Sequence, residues 1–234
     1  MGRTLKIVYK KLMMYYIFMY ILAVDSANEV LSVSLKIKDK VNTDTYDDIK
    51  HSSEILLVAI DKLLSNNGLQ SSDLNCILYN KGPASFTGTR VAASCLQAIG
   101  FSKDIPVIGI SSMQLMADIF STESSIESFT CLKYAYGEMC FSCNFTSDNL
   151  SKQMDSCKLV KIEELNLHTD RFKVLNEKLY QYIKNTDKQL TETNKVLMRE
   201  TNSEDLIAYC NKYLKIEPGF NLSDSLPDYA NHQL

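Results

Sequence analysis

Apolar and polar positions along the chain change period several times, and each change marks an element. Leu31, Val33, Leu35 and Ile37 alternate with Ser32, Ser34, Lys36 and Lys38, the period-two pattern of a half-buried strand. YILAVD, just before it, is a short apolar run ending on an acid and predicts a buried strand. A third strand or a loop is expected around Val41–Tyr46. HSSEILLVAIDKLL, from His51 to Leu64, predicts a helix stopped by Asn66, Asn67 and Gly68. SSD (71–73) reads as a turn and NCILYN (75–80) as a buried strand. A loop, KGPASFTG, then leads into TGTRVAASCLQAIGF, which holds several alanines, no proline and a glycine near its end, as a helix should. IPVIGI (105–110) is another strand, and Ser111 or Ser112 can cap the helix SSMQLMADIF.

The second half is less regular. FTCLKYA, GEMCFSCNF, SCKLV and KVLMRE read as strands, EELN as a short turn, and SEDLIAYCNKYL as an amphipathic helix capped by Ser203. RFKVLNEKLYQYIK fits a helix or a strand. The tail EPGFNLSDSLPDYANHQL is polar and rich in turn residues. The whole predicts an α/β layer architecture. STESSIE, between Phe120 and Ile126, is the expected boundary between a first lobe over 19–120 and a second over 121–234.

Composition narrows the classes. At 234 residues with 45% hydrophobic and 23% charged residues, the chain can bury a full core. A net charge of −3 supplies no basic footprint for nucleic acid, so any RNA contact needs a partner's surface. Residues 1–18 carry Arg3, Lys6, Lys10 and Lys11 and no acid, and lead into the apolar run Leu12–Val24. That run mimics a signal peptide but is too short to span a bilayer, and AVDSA offers no clean cleavage site. The other reading is a buried first strand with Met19 as the natural start, residues 1–18 being an extension. Seven scattered cysteines form no compact framework, which favours a reduced, cytoplasmic compartment.

Tests for chemistry are mostly negative. Gly82 and Gly88 are separated by five residues and followed by Thr89-Arg90, so the loop is not a P-loop. It lacks the third glycine of a dinucleotide fingerprint, and Ser85 sits three residues from each glycine, unlike a nucleophile elbow. Its hydroxyls at Ser85 and Thr87 can satisfy orphan N–H groups of the helix, and the same geometry can accept an anion. Asp25, ending a buried strand beside Ser26, can hold a magnesium-bound water in nucleotide-binding α/β folds, or simply cap the next turn. The histidines His51, His168 and His232 never pair at ligand spacing, and Cys140–Cys143 is a lone C-x-x-C within a strand, so no metal ligands are assigned.

The helices say more. Leu56, Ala59, Ile60 and Leu63 make one apolar stripe, yet Ile55, Leu57, Val58 and Leu64 add further apolar surface. The second helix is apolar nearly all round, with small residues at Ala92, Ala93, Ser94, Ala98 and Gly100. Such helices need cover from a partner or from the second lobe.

GPASFTGTR, with HSSEILL upstream and IPVIGISSMQLMA downstream, resembles the TsaB (YeaZ) family, whose members carry G-P-G-S-F-T-G-x-R and H-S-x-x-L-L at these places. The likeness runs from about Met19 to Ala117. It implies an actin-like ATPase (ASKHA, ribonuclease H-like) fold of two similar lobes. It also implies a role in forming threonylcarbamoyladenosine beside the anticodon of tRNAs that read A-starting codons. In that system a TsaD-like subunit is catalytic and carries ATP and metal. The TsaB-like subunit is its non-catalytic partner and has no cofactor of its own, and a TsaE-like ATPase completes the set. The implied pairing surface, shared with a homodimer, takes His51, Ile55, Leu57, Val58, Leu64, Arg90, Ala93, Ser94 and Gln97. Residual anion or nucleotide binding would fall to Asp25, Ser26, Gly82, Ser85, Thr87 and Gly88. Transfer RNA would be met only through the complex, and no membrane is involved. Ala84 departs from the family's glycine. KYAYGEMCF keeps Gly137 and Glu138 of the family's Asp-Ala-Arg-x-x-Glu-Val-Tyr but loses the acid and the arginine, and PDYANH loses a tail arginine. The rivals are a nucleotide-dependent enzyme of the same fold acting alone, a peptidase, and an exported protein.

Overall fold

In the computed structural model the residues described are 19–47, 52–84, 88–148, 150, 157–165, 172–186 and 196–227. Expectations for residues 1–18, His51, Ser85, Thr87 and the end of the tail lie outside them. The apolar run, the alternating segment and the stretch open to strand or loop all become strands: β1 (Tyr20–Asp25), β2 (Leu31–Ile37) and β3 (Lys40–Tyr46) form an antiparallel meander. Helix α1 (Ser52–Asn66) leads to β4 (Cys76–Gly82), and α2 (Gly88–Lys103) to β5 (Val107–Ser111). Both strands join parallel to the meander, in the order β3-β2-β1-β4-β5. Period two in β1 and β4 sorts their side chains. Leu22, Val24, Ile77 and Tyr79 pack under α1 and α2, while Ile21, Ala23, Cys76 and Leu78 face the opposite way.

After α3 (Ser112–Glu123) the same plan repeats. β6 (Ser128–Tyr136), β7 (Met139–Thr146) and β8 (Lys158–Lys161) form a second meander. β9 (Phe172–Leu175), α4 (Glu177–Thr186) and β10 (Val196–Met198) complete it in the order β10-β9-β6-β7-β8. The ambiguous stretch RFKVLNEKLYQYIK is therefore both, a strand and a helix divided at Asn176. Where the first lobe carries α1, the described residues of the second hold a short 3-10 turn, Ile162–Glu164.

The last helix, α5 (Ser203–Tyr213), returns to the first sheet, where Leu206, Ile207, Tyr209 and Cys210 pack on Ile21, Ala23, Cys76 and Leu78. Conversely, α3 puts Met113, Met116, Ala117 and Phe120 against Phe129, Cys131 and Phe145 of the second sheet. Each lobe thus hands its closing helix to the other. Asp118 of α3 joins the pair, accepting from Lys212 Nζ at 2.6 Å and from the Tyr213 hydroxyl at 2.7 Å.

Two local expectations change. The cap of α5 is Asn202, whose carboxamide oxygen accepts from Glu204 N and Asp205 N. Ser203 is engaged elsewhere, bonding Ser34 Oγ at 2.6 Å and donating its N–H to Ser32 Oγ. Cys140 and Cys143, three apart in a strand, point to opposite faces and cannot share one ion. Cys143 is instead bonded to Cys157 as a disulfide, so the seven cysteines are not all thiols. Among the described residues no helix is long and apolar enough to cross a membrane.

Candidate functional site

Strand alternation sends Asp25, at the C-terminal end of β1, and Lys133, within the C-terminal half of β6, into the cleft between the lobes. Asp25 ends β1 and is 1% exposed. Its Oδ1 accepts from Ala27 N at 2.9 Å. Its Oδ2 accepts from Asn80 Nδ2 at 2.9 Å, Thr201 Oγ1 at 2.9 Å and Asn28 Nδ2 at 3.3 Å. Thr201 lies between β10 and α5, so the donors to Asp25 come from both halves of the chain. Asn28 strengthens the crossing by donating to the Thr201 carbonyl at 2.8 Å.

Lys133 of β6 answers from the other side. It is 3% exposed, and its ammonium donates to Asn28 Oδ1 at 2.8 Å and Ser112 Oγ at 3.2 Å. Ser112 in turn donates to Asn80 Oδ1 at 2.6 Å, which also accepts from Gly82 N at 3.1 Å. Burial pushes the Lys133 ammonium below its ordinary value, against the pull of Asp25 and Glu200. Burial likewise raises the Glu200 carboxyl, with Lys133 opposing; Glu200 Oε1 accepts from Glu177 N at 2.7 Å, at the start of α4. The result is a closed polar ring, Asp25–Asn80–Ser112–Lys133–Asn28 and back to Asp25, with Thr201 bonded to both Asp25 and Asn28 and the acid and the ammonium on opposite sides.

A metal-bound nucleotide does not fit this arrangement. Asp25 already receives four donors, the Gly82 amide is taken by Asn80, and the Lys133 ammonium already occupies the polar ring beside them, on Asn28 and Ser112. Among the described residues no cluster of three His, Cys, Asp or Glu could hold a metal ion. Of the other residues singled out for an anion, Ser26 keeps a buried hydroxyl with no partner and Gly88 opens α2 half-buried. Gly82 is buried at a positive φ of 94°, a conformation that glycine adopts freely.

The second candidate surface is the outer side of α1 and α2. Leu56, Ala59, Ile60 and Leu63 are 1–3% exposed and form the inner stripe of α1, whereas Leu57 is 51% and Val58 65% exposed. Ile55 is half-buried against the core. On α2, Arg90 and Ser94 are exposed, and Gln97 is half-buried and donates to the Ser225 carbonyl at 2.5 Å. Two expected interface residues belong to the core instead. Leu64 is 4% and Ala93 1% exposed, because α1 and α2 present those positions to each other and to the sheet. The apolar surface extends to Phe101, 76% exposed at the end of α2, where Phe220 meets it edge-on.

Asn28, Asn80, Ser112, Lys133, Glu200 and Thr201 were not foreseen as site residues. Lys133, a lone charge inside an apolar strand, was the one local signal. The others meet only through the fold, since Asn28 and Thr201 are 173 residues apart.

Two lobes of one strand order, exchanging their closing helices across a polar cleft, define the actin-like class of fold. Sequence similarity is more specific. The family described as TsaD, tRNA N6-adenosine threonylcarbamoyltransferase, matches residues 47–132. The chain is similar to the tRNA threonylcarbamoyladenosine biosynthesis protein TsaB of Haemophilus influenzae, with 37% identity over 98 residues, 42% of this chain and 41% of that protein. The like-named proteins of Escherichia coli and Bacillus subtilis are 32% identical over 99 residues and 31% over 100, each again 42% of this chain and 43% and 44% of theirs. The chain thus matches less than half the length of these relatives. Its fold is shared more widely. YeaZ from Pseudomonas aeruginosa aligns over 90% of this chain and 99% of its own, with a TM-score of 0.67 at 19% identity. A second structure from that organism, similar to peptidase YeaZ, aligns over 91% and 100% with a TM-score of 0.70 at 19% identity. The resemblance to the TsaB (YeaZ) family, read from the GPASFTGTR loop and its flanking helices, is borne out.

Proposed function

We propose that the chain acts in threonylcarbamoyladenosine formation on tRNA as a non-catalytic subunit. It pairs with a TsaD-like transferase through the solvent side of α1 and α2. Bacterial proteins named for this biosynthesis share the matched stretch. The observation that carries the reading is the placement of Leu57 and Val58, at 51% and 65% exposure, on a helix whose opposite stripe already fills the core. Apolar side chains so placed gain nothing from the monomer and are favoured where a second helix pair covers them. ATP and metal belong to the transferase, a TsaE-like ATPase joins the assembly, and tRNA is met through the complex in the cytoplasm. The same face accounts for a homodimer that the transferase displaces.

The experiment is sedimentation velocity of the chain alone and mixed with the TsaD-like protein of the same organism. A mixed species is expected that the double substitution Leu57→Ser with Val58→Ser dissolves. Stability should meanwhile stay within about 0.5 kcal/mol of the parent, as for other surface changes. No mixed species, with or without Mg-ATP, would defeat the proposal.

A further inference from the structure

The two lobes share a strand order, and their parallel central pairs can be compared residue by residue. In the first, Val24 pairs with Tyr79 across β1 and β4, so the next pair is Asp25 with Asn80. In the second, Leu132 pairs with Leu175 across β6 and β9, so the next pair is Lys133 with Asn176. The repeat conserves the asparagine and reverses the charge. Asp25 and Lys133 occupy equivalent positions, each one residue past the last parallel pair of its strand, and meet across the cleft through Asn28, Asn80 and Ser112.

We infer that Lys133 is a built-in cation standing where a two-lobed nucleotide-binding protein would hold a metal, and that it fastens the lobes together without nucleotide. Its ammonium brings positive charge and hydrogen-bond donors to one point, which is what a divalent ion supplies to the oxygens around it. Unlike an ion it is tethered, so it cannot leave. Magnesium demands six oxygens at close range and sheds its water reluctantly. To enter, it would have to displace the ammonium and strip donors from Asp25, leaving buried polar groups unpaired. Asn28 is the hinge pin of the arrangement: its carbonyl oxygen accepts from Lys133 while its amide donates to Asp25 and Thr201. Exposed ion pairs close the rim, Lys178 with Glu29 at 3.0 Å and Arg199 with Glu123. Removing Lys133 therefore frees Asn28 to turn, and with it the contact to Thr201. The inference concerns the cleft alone and stands independently of pairing through α1 and α2.

Hydrogen exchange of the full chain tests it in two arms. With the parent protein, millimolar Mg-ATP is expected to leave the amides of Ala27, Asn28, Gly82 and Thr201 unchanged. Slowed exchange there, dependent on magnesium, would overturn the proposal. In the Lys133→Met variant, which keeps the length of the side chain, the Asn28 and Thr201 amides are expected to exchange about tenfold faster, the equivalent of losing one charge-assisted hydrogen bond. Lys133→Arg should keep them near the parent rate. Parent-like exchange in Lys133→Met would equally overturn it, and if that variant does not fold, the Mg-ATP arm on the parent decides.

Discussion

The two lobes share a strand order and differ in what covers them. The first sheet lies between two long helices on one side and a borrowed helix on the other, and its central strand ends in an acid. The second sheet has the 10-residue α4 on one face, with Leu179 and Ile183 as its buried positions, and its central strand carries a base into the cleft. Equivalent frames have thus been put to different uses. The first lobe keeps thick outer helices with apolar residues left facing solvent. The second contributes mainly the counter-charge and a helix to brace its neighbour. Such division is expected where a duplicated frame is freed from binding the same ligand at both ends, because only packing then constrains the second copy.

The largest test falls on the boundary between core and surface in the first lobe. Ala93, 1% exposed among Leu56, Ala59 and Leu96, leaves no route for a guanidinium to reach water. Ala93→Arg should cost on the order of 3–5 kcal/mol, as an uncompensated buried charge does, and abolish the folded protein in thermal denaturation. A folded Ala93→Arg would return this position to the outer face and blur the contrast with Leu57.

A smaller pair of substitutions asks whether the lobes are separate in energy as they are in plan. Leu56→Ala in the first core should cost about 2–5 kcal/mol and Phe129→Ala in the second about 3–5 kcal/mol. Because α3 and α5 are exchanged and the polar cleft spans both sheets, each is expected to lower one shared calorimetric transition. Two transitions, with only the mutated lobe shifted, would make the lobes independent domains.

The difference between the lobes also explains what could be read from sequence. In β1, β2, α1 and α2, side-chain period and local stop signals agree, so elements and boundaries follow within a residue or two. In the second lobe period fails locally. Asn176 breaks β9 from α4 by accepting from Tyr134 N at 2.9 Å and Leu179 N at 3.4 Å, a contact to β6 that no window around it contains. The same holds for the cleft, where Asp25 was visible as an acid ending a strand but its partners were not. Leu64 and Ala93 were misplaced because a helix wheel shows that a face is apolar, not which neighbour covers it. The cap of α5 moved to Asn202 for a similar reason, since Ser203 is claimed by Ser32 and Ser34 on a distant strand.

The two exchanged helices should also respond differently to pH. α3 begins on Ser111, a neutral cap whose hydroxyl accepts from Met113 N at 3.3 Å. α5 begins on a capping box in which Asp205 Oδ2 accepts from Asn202 N at 2.8 Å. Burial raises the Asp205 carboxyl from 3.8 to about 6; the bond from Asn202 pulls it down, while Asp25, Glu204 and Asp118 add to the rise. Between those values the folded chain therefore holds a proton that the unfolded chain has lost, so this group's contribution to stability is full below about 4 and falls as pH rises through 6. Carbon-detected NMR should find the Asp205 midpoint near 6. Asp205→Asn keeps an acceptor for the Asn202 amide and should flatten the fall in unfolding free energy between pH 4 and 6 without disturbing α3. An unchanged slope in Asp205→Asn would mean that the proton uptake lies elsewhere, with Glu200, whose carboxyl is also raised beside Lys133, the next to substitute.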